Sequence, residues 1–522
     1  MFPKHALAGS QIAIFDCGCS ESLDETLQIL GHRSEAALSY CSLMLSGGAN
    51  RVVLETLTIA NDLELERNQV IASVAARLRP DRNPEVNIFS ARRCTFLVDE
   101  DGKHWADITD LSQAAVGYIV IVSLYLNELG GKSSSYIFEA IIGDRALKQT
   151  SDRSAAYKNR FDSSIGFATE PIVFSIEGLY FCEQNKWTQA CMQTSLQMSL
   201  NNSSYKGSHP LSAAYLNELL EVDIAAPDSD PSDLGRIGIE NIASRYGLVA
   251  SFTNSVPLKF DSFLSQVNTV VESGFPAFVV LSGSETEGVR NFHVLSLSSV
   301  VSVNRKWTMK HSHERLSSRP RYTPSSLSTI GYIVHDDTAG PLCFFPSEYL
   351  RGSILISLRP PKALNSYHVE RLASAYITIC LKALAGCEQM SPALKALQGN
   401  LAIRVTWRNK GSYLSHFYSS MLSGIPESKE SVALFVCTLP NSFWVAEIST
   451  PTLLFASNKK VGEIIWPGSA TLLYQESEQP IATWLLGLLV CESGAILTSW
   501  PIKAPTLILA PDHLQSEALG SV

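Results

Sequence analysis

The sequence predicts an α+β fold, on the basis of three observations. Helix-like and strand-like segments are grouped along the chain instead of alternating as in a repeating βαβ sheet. Hydrophobic residues make up 45% of the sequence and charged residues 17%, so enough apolar surface is present to form packed cores. A chain of 522 residues is also too long for one ordinary core. Its length corresponds to about three domains of the usual size.

The first predicted domain covers residues 1–150 and is α+β, and no role is assigned to it. Apolar residues at helical spacing predict helices from Leu23 to Met44 and from Leu63 to Leu78. Runs of β-branched and aromatic residues predict strands at Val86 to Phe89, Cys94 to Val98, Gly117 to Leu126 and Tyr136 to Ile142. The polar stretch from Lys148 to Ser164 has no apolar periodicity and predicts a linker.

The second predicted domain covers residues 165–358, with helices first and strands later. Its predicted helices begin at Cys191, span Ala213 to Leu220, and lie near Leu234 to Tyr246. Its predicted strands are Ala277 to Leu281, His293 to Leu297 and Gly331 to Val334. The third predicted domain, residues 360–522, is again α+β and carries no chemical motif. Its predicted elements are a helix from Val369 to Ala385 and strands at Leu401 to Trp407, Ser431 to Cys437 and Phe443 to Ile448.

Charge and composition limit the classes of partner. A net charge of −9 argues against a general nucleic-acid binder and gives no attraction to an anionic membrane. No run reaches the roughly 18 apolar residues of a transmembrane helix, and the first residues lack the apolar core of a signal peptide. The 11 cysteines are irregularly spaced, which is typical of a reduced compartment. We therefore expect a cytoplasmic protein without membrane or nucleic-acid partners.

A candidate nucleophile stands at the start of an apolar helical run. Cys191 precedes Met192, Leu196 and Leu200 at helical spacing, so its thiol would lie at the positive end of the helix dipole. This position is expected to lower the pKa of the thiol and so favour the reactive thiolate. Gln184 lies seven positions earlier and could donate its amide N–H to an oxyanion.

Candidates for a general base and for a carboxylate that orients it follow Cys191 along the chain. His293 lies on a predicted strand between Phe292 and Val294, and its side chain points to the face opposite theirs. Asp336 follows the strand that ends at Val334, and Asp337 is the alternative third member. Each of these residues alone has an ordinary structural interpretation, as a buried thiol, a core histidine or a turn carboxylate. The ordered set predicts a thiol hydrolase.

The set resembles papain-like cysteine peptidases, in particular the branch that removes double-glycine leaders from bacteriocins. The similar segments cover about a third of the chain and are Gln184 with Cys191, Ile239 to Leu248, Val271 to Leu281, Phe292 to Val294, and Val334 to Asp336. The resemblance implies a papain-like core, in which the cysteine-bearing helix packs on an antiparallel sheet, flanked by N- and C-terminal α+β domains.

It further implies roles for four residues: Cys191 as nucleophile, His293 as general base and then acid, Asp336 as orienting carboxylate, and Gln184 as oxyanion donor. The expected substrate is a protein or peptide, cleaved at a peptide or isopeptide bond. Met192 departs from the family, which usually has glycine there. Two alternatives stay open, a Cys-His-Asp acyltransferase and an inactive papain-like scaffold that binds a protein partner.

The segment between His293 and Asp336 contains a basic insertion, residues 305–322, with Trp307 and Tyr322 among its charges. It is interpreted either as a loop that engages an acidic partner or as an ordinary solvated loop.

Metal binding is the last alternative. His311 and His313 with His335, Asp336 and Asp337 carry zinc-ligand side chains, but no HExxH or paired CxxC spacing accompanies them. We therefore expect neither a metal nor a cofactor.

Overall fold

A computed structural model of the chain describes residues 5–6, 12–16, 22–77, 86–99, 111–126, 132–149, 159–165, 172–185, 187–188, 191–205, 210–221, 235–256, 258–286, 289–302, 322–361, 366–385, 397, 401–413, 439–457, 459–467, 482–485, 488–491, 496–499 and 508–509. These residues form a mixed α+β structure with three large, mainly antiparallel sheets. The predicted α+β class is confirmed. None of the helices within these ranges combines the length and the apolar character needed to cross a bilayer.

The first sheet has eight antiparallel strands in the spatial order β1-β2-β3-β4-β5-β6-β8-β7. Its strands are β1 (His5–Ala6), β2 (Ile12–Asp16), β3 (Arg51–Leu57), β4 (Val86–Leu97), β5 (Ala115–Leu126), β6 (Lys132–Gly143), β7 (Asn159–Ile165) and β8 (Ile172–Phe181). Its helices are α1 (Ser22–Leu30), α2 (Glu35–Ser46), α3 (Asp62–Arg77), α4 (Leu111–Ala114) and α5 (Asp144–Gln149). The main core lies between α2 and the inner strands, where Tyr40 and Met44 pack with Phe96 and Ile119.

Two sequence predictions are wrong in this part. The single helix predicted from Leu23 to Met44 is interrupted, because Gly31 adopts a φ of 67° and Ser34 caps α2 by accepting from the Ala37 N–H at 3.0 Å. The linker predicted from Lys148 to Ser164 is wrong over residues 159–164, which belong to β7. This strand lies at the sheet edge and buries only alternate residues, so its sequence reads as polar. The domain boundaries themselves stay predictions.

The central sheet has six strands in the order β14-β13-β11-β10-β15-β9. They are β9 (Val249–Asn254), β10 (Ala277–Thr286), β11 (Val289–Ser302), β13 (Thr329–Asp336), β14 (Gly340–Pro346) and β15 (Ile354–Arg359); β12 (Tyr322–Pro324) belongs to the third sheet. The accompanying helices are α6 (Cys191–Asn201), α7 (Ala213–Leu219), α8 (Arg236–Arg245) and α9 (Phe260–Glu272), with short 3-10 helices at Ser325–Ser328 and Ser347–Leu350.

Strand β10 shows why helices cover both faces of this sheet. Successive side chains of a strand point to opposite faces. Phe278 and Val280 therefore pack in one cluster with Leu196 of α6, whereas Val279 packs in another with Phe263 of α9. The sheet lies between α6 and α9, and the described polar side chains of α6 are buried. Two hydroxyls of this helix meet the sheet directly: Ser195 donates to the Val294 carbonyl, and Ser199 donates to the Ala277 carbonyl, both at 3.0 Å.

The third sheet has seven strands in the order β12-β16-β17-β19-β20-β21-β22, and β12 is parallel to β16. Its further strands are β16 (Leu401–Asn409), β17 (Ser442–Ser449), β19 (Gly462–Pro467), β20 (Ala482–Leu485), β21 (Leu488–Cys491) and β22 (Ile496–Ser499); β18 (Lys459–Lys460) pairs with β23 (Ile508–Leu509). Helices α10 (Ser366–Ala385) and α11 (Pro451–Ser457) accompany it. The predicted helix and two of the three predicted strands are confirmed here, and the predicted strand Ser431 to Cys437 lies outside the described residues.

A buried charge network joins the central and third sheets. Arg404 of β16 is 0% exposed and donates from Nε to Glu272 of α9 and from Nη1 to Glu447 of β17, each at 3.1 Å. Lys460 bonds Glu447 at 2.7 Å and also pairs closely with Glu463. Each of these charges faces an opposite charge, as burial requires.

Candidate active site

The Cys191 thiol lies at the N-terminus of α6, next to the strand that carries His293. Backbone N–H groups of Cys191, Met192 and Val294 are directed at its sulfur. One turn further on, Ser195 donates to the Val294 carbonyl at 3.0 Å and holds the helix against β11. The thiol is half-buried. The structure therefore places Cys191, the predicted nucleophile, beside Val294, which directly follows the predicted base His293.

The electrostatics of the thiol differ from the prediction. Burial, followed by the negative charge of Asp337, raises the pKa of Cys191 above its ordinary value, although the three backbone N–H groups act in the opposite direction. The N–H groups at the helix terminus do lower this pKa as predicted, but burial and Asp337 outweigh them, so the predicted net lowering is wrong. The reason is that the first turn of α6 is packed against the sheet and loses solvation there. A thiol with this pKa is protonated at neutral pH, so its reaction requires a base.

His293 and Asp336 form a hydrogen-bonded pair, with 3.1 Å between Nε2 and Oδ2. The bond to Asp336 raises the pKa of His293, and this effect exceeds the opposing effect of burial. Burial alone would raise the pKa of Asp336, but the hydrogen bond from His293 and the N–H groups of Thr338 and Ala339 hold it below its ordinary value. These two N–H groups donate to Oδ1 at 2.9 and 3.2 Å. Asp336 is thus a fixed, ionised carboxylate.

Of the two neighbouring aspartates, Asp336 makes the hydrogen bond to His293. Asp337 is only 5% exposed, and its Oδ1 has no hydrogen-bond partner among the described residues. Burial raises the pKa of Asp337 to about 6, against the opposing charge of His293. Asp337 therefore acts on both His293 and Cys191 through its charge. The Asp-Asp doublet was the sequence signal for this second carboxylate, but the sequence does not separate the two positions.

We expect Asp337→Asn to lower the pKa of Cys191, because it removes a negative charge that disfavours the thiolate. Alkylation of Cys191 by iodoacetamide at pH 7.5 should be severalfold faster than in the wild type. The difference should shrink below pH 6, where Asp337 is itself protonated in the wild type. The rate is measured across pH 5–9 with Glu35→Gln as a control for charge removal, since Glu35 is not among the charges that shift the thiol. Equal pH profiles for Asp337→Asn and the wild type would contradict the expectation.

Gln184 stands between two buried residues that fix the chain on either side of it. Before it, the Glu183 carboxylate accepts from His32 Nε2 and the Ile137 N–H, each at 2.8 Å, and from the Ser34 hydroxyl. His32 and Ser34 flank the start of α2, and Ile137 lies on β6. The segment before Gln184 is therefore held by the first sheet and its helices.

After Gln184, Asn185 makes the matching connection. Its Nδ2 donates to Glu66 of α3 at 2.7 Å and to the Thr188 hydroxyl at 2.6 Å. Its Oδ1 accepts from the N–H groups of Trp187 and Thr188 at 2.9 and 2.8 Å and so shapes the turn that leads to Cys191. Tyr136 also donates to Glu66, at 2.7 Å. Sequence reasoning missed Glu66 and His32, since no local pattern links them to a segment more than a hundred residues away.

Gln184 and Asp337 line one cavity of about 320 Å³. The predicted site residues are thus placed as follows: Cys191 lies next to β11, His293 bonds to Asp336, and Gln184 lines the cavity that the turn after Asp336 also borders.

One group of side chains could hold a metal ion within the described part of the chain. The ligand atoms of His293, Asp336 and Asp337 lie within 4.8 Å of one another, and imidazole and carboxylate are ordinary zinc ligands. His335 is on the buried side of β13. Burial lowers its pKa to about 4, and neither ring nitrogen has a hydrogen-bond partner among the described residues. His311 and His313 lie outside those residues, and the expected absence of a metal stays a prediction.

The basic insertion lies outside the described residues up to position 321. Its last residue, Tyr322, begins β12, pairs with Leu401 and donates its hydroxyl to Glu370 at 3.3 Å. Tyr322 is therefore part of the third sheet. An acidic partner for the rest of the insertion stays a prediction.

No protein-family model matches this chain, and no curated protein shows significant similarity to it.

Proposed function

We propose that the protein is a thiol hydrolase with a papain-like core that cleaves a peptide or isopeptide bond through an acyl-enzyme at Cys191. The observation that carries this proposal is the His293–Asp336 hydrogen bond of 3.1 Å next to a helix that begins with a half-buried cysteine. The arrangement of the central sheet supports it further, because α6 packs on an antiparallel sheet whose strands β11 and β13 supply the other two residues.

In the first half of the reaction, His293 accepts the Cys191 proton while the sulfur attacks the carbonyl carbon. Since Nε2 is engaged by Asp336, Nδ1 is the nitrogen that takes this proton. The raised pKa of His293 makes it a stronger base, which suits a thiol whose pKa is also raised. The backbone N–H of Cys191 and the Gln184 amide bind the oxyanion.

In the second half, the tetrahedral intermediate collapses and the carbon–nitrogen bond breaks. The imidazolium of His293 gives its proton to the leaving amine, and a thioester to Cys191 remains. His293 then deprotonates a water molecule that attacks the thioester carbon. The carbon–sulfur bond breaks, the acid product leaves, and the proton returns to the thiol.

The test is the rate at which iodoacetamide alkylates Cys191 between pH 6 and 9. Wild-type protein is expected to be labelled at Cys191, and Cys191→Ala is expected to lose that label. In His293→Ala the rate at pH 7.5 should fall by about 100-fold, the lower end of the usual contribution of a general base. Cys343→Ala is the matched control, since Cys343 is also half-buried, and it should leave the rate unchanged. Equal rates for the wild type and His293→Ala would overturn the proposal.

An inactive scaffold is the second candidate, and the raised pKa of Cys191 favours it. In that case the thiol reacts like an ordinary buried cysteine at every pH, and His293→Ala has no effect on labelling. Acyl transfer to an amine would use the same residues as hydrolysis, and the products formed with an added primary amine separate these two reactions.

A further inference from the structure

The cavity beside Gln184 has walls from two parts of the chain. Residues 32–35 and 134–136, which belong to the first sheet and its helices, line it together with residues 183–185 and 337–338. The cavity has a volume of about 320 Å³, near the lower end of the roughly 300–1,000 Å³ of small-ligand sites. It therefore fits a short segment of a ligand and not a folded partner.

The walls of this cavity are fixed by hydrogen bonds before any ligand arrives. His32 is held between the Ser135 hydroxyl and the Glu183 carboxylate, each at 2.8 Å. Asn185, which also lines the cavity, is held by Glu66 at 2.7 Å. A preformed wall lowers the entropy lost on binding.

The lining residues carry polar groups. Every described residue that borders the cavity has a hydroxyl, amide, carboxylate, imidazole or guanidinium group, and none of these described residues has an aliphatic side chain. A site lined in this way binds groups that donate and accept hydrogen bonds. It disfavours apolar groups, because they offer no hydrogen bond to the hydroxyl, amide and charged groups of the wall.

We propose that this cavity is a subsite for a polar, extended segment of the peptide substrate. Asp337 borders the cavity, and its carboxylate lies within 4.8 Å of the ligand atoms of His293 and Asp336, so the cavity is close to the proposed base. The inference rests on the proposed function and adds a substrate class to it. It also gives the first sheet a role, because residues 32–35 and 134–136 contribute seven of the twelve described lining residues. The backbone amides of an extended peptide, and side chains such as serine and asparagine, match the hydroxyl and amide groups of the wall.

The test uses peptidyl electrophiles that alkylate Cys191. Chloromethyl ketones place the peptide on the acyl side of the thiol, and N-iodoacetyl peptides place it on the leaving-group side. Each series contains a Ser-Asn and a Leu-Val dipeptide. In one of the two series we expect the wild type to react at least about 10-fold faster with Ser-Asn than with Leu-Val, as polar sites discriminate strongly. Iodoacetamide gives the reference rate.

Ser134→Leu is the variant that changes the wall. Ser134 is half-buried on β6 and lines the cavity, so leucine would replace a hydroxyl with apolar bulk there. We expect the preference for Ser-Asn to fall below about threefold, with the iodoacetamide rate unchanged. Thr56→Leu is the matched control, since Thr56 is exposed on β3 of the same sheet. Arg33→Leu, at an exposed position of the wall, gives a second variant that does not disturb packing.

The outcomes separate the two proposals. A wild type without a preference in either series, or a preference that survives in both wall variants, overturns the subsite while leaving the hydrolase intact. Iodoacetamide rates that are equal in the wild type and in His293→Ala overturn the hydrolase, and the subsite with it.

Discussion

Asp336→Asn is expected to lower kcat by about 10³- to 10⁴-fold, the usual effect of losing the orienting carboxylate of a triad. The turn after β13 explains why asparagine cannot replace aspartate. Oδ1 of Asp336 accepts the N–H groups of Thr338 and Ala339, so the amide NH₂ of asparagine would take the position that faces His293. His293 Nε2 would then have to accept a hydrogen bond, and the ring proton would move to Nδ1. That nitrogen could no longer take the proton of Cys191.

The measurement is kcat for a peptide amide that the wild type cleaves, together with the pH profile of Cys191 alkylation. Because the bond to Asp336 raises the pKa of His293, its loss should move the acidic limb of that profile to lower pH. Thermal unfolding should change little, since Asp336 is partly exposed. Glu35→Gln is the control for loss of a negative charge, and it should leave the acidic limb in place, because Glu35 is not among the charges that shift the pKa of His293. Retention of a tenth or more of the wild-type kcat by Asp336→Asn would show that the carboxylate does not orient His293.

Arg404→Met is expected to destabilise the third sheet by about 3–5 kcal/mol, the usual cost of removing one partner from a buried ion pair. Arg404 is 0% exposed and is the cation that joins Glu272 to Glu447. Glu447 retains its bond to Lys460, which is 2.7 Å long. Most of the destabilisation therefore comes from Glu272, which loses the charge of Arg404. That carboxylate already has a pKa raised by burial, and Arg404 counteracts the effect.

Urea unfolding followed by tryptophan fluorescence measures this effect, because Trp407, Trp444 and Trp466 lie in the same cluster. The double variant Arg404→Met with Glu272→Met should recover part of the stability, since an apolar pair leaves no unpaired buried charge. Arg236→Met is the control. Its pair with Glu240 is exposed, and a surface pair of this kind contributes less than about 1 kcal/mol. Similar midpoints for Arg404→Met and Arg236→Met would refute the stabilising role of the network.

Local periodicity was sufficient to predict much of the central sheet. The strands Ala277 to Leu281 and His293 to Leu297 are confirmed as the inner parts of β10 and β11, where most residues are apolar. The strand ends were not predicted, because polar and glycine residues follow the apolar core. The helix that begins at Cys191 was predicted at its first residue, since its apolar spacing starts there.

Contacts between distant segments could not be predicted in this way. The proximity of His293 and Asp336 was expected from the resemblance to papain-like peptidases and not from periodicity. The raised pKa of Cys191, in contrast, depends on burial of the thiol and on the charge of the buried Asp337. Burial at that position is set by packing between sheets, which has no local signature. The same holds for Glu66, which reaches Asn185 across 119 residues.

The anchoring of Glu183 and Asn185 determines how far this site can be separated from the rest of the chain. A fragment that begins at residue 165 would retain Gln184, Cys191, His293 and Asp336 but lose His32, Ser34 and Glu66. Two buried side chains on either side of the amide would then face solvent without their partners. Under the proposed function, the smallest fragment with an intact active site therefore includes the first sheet. The central sheet alone would not be a functional catalytic domain.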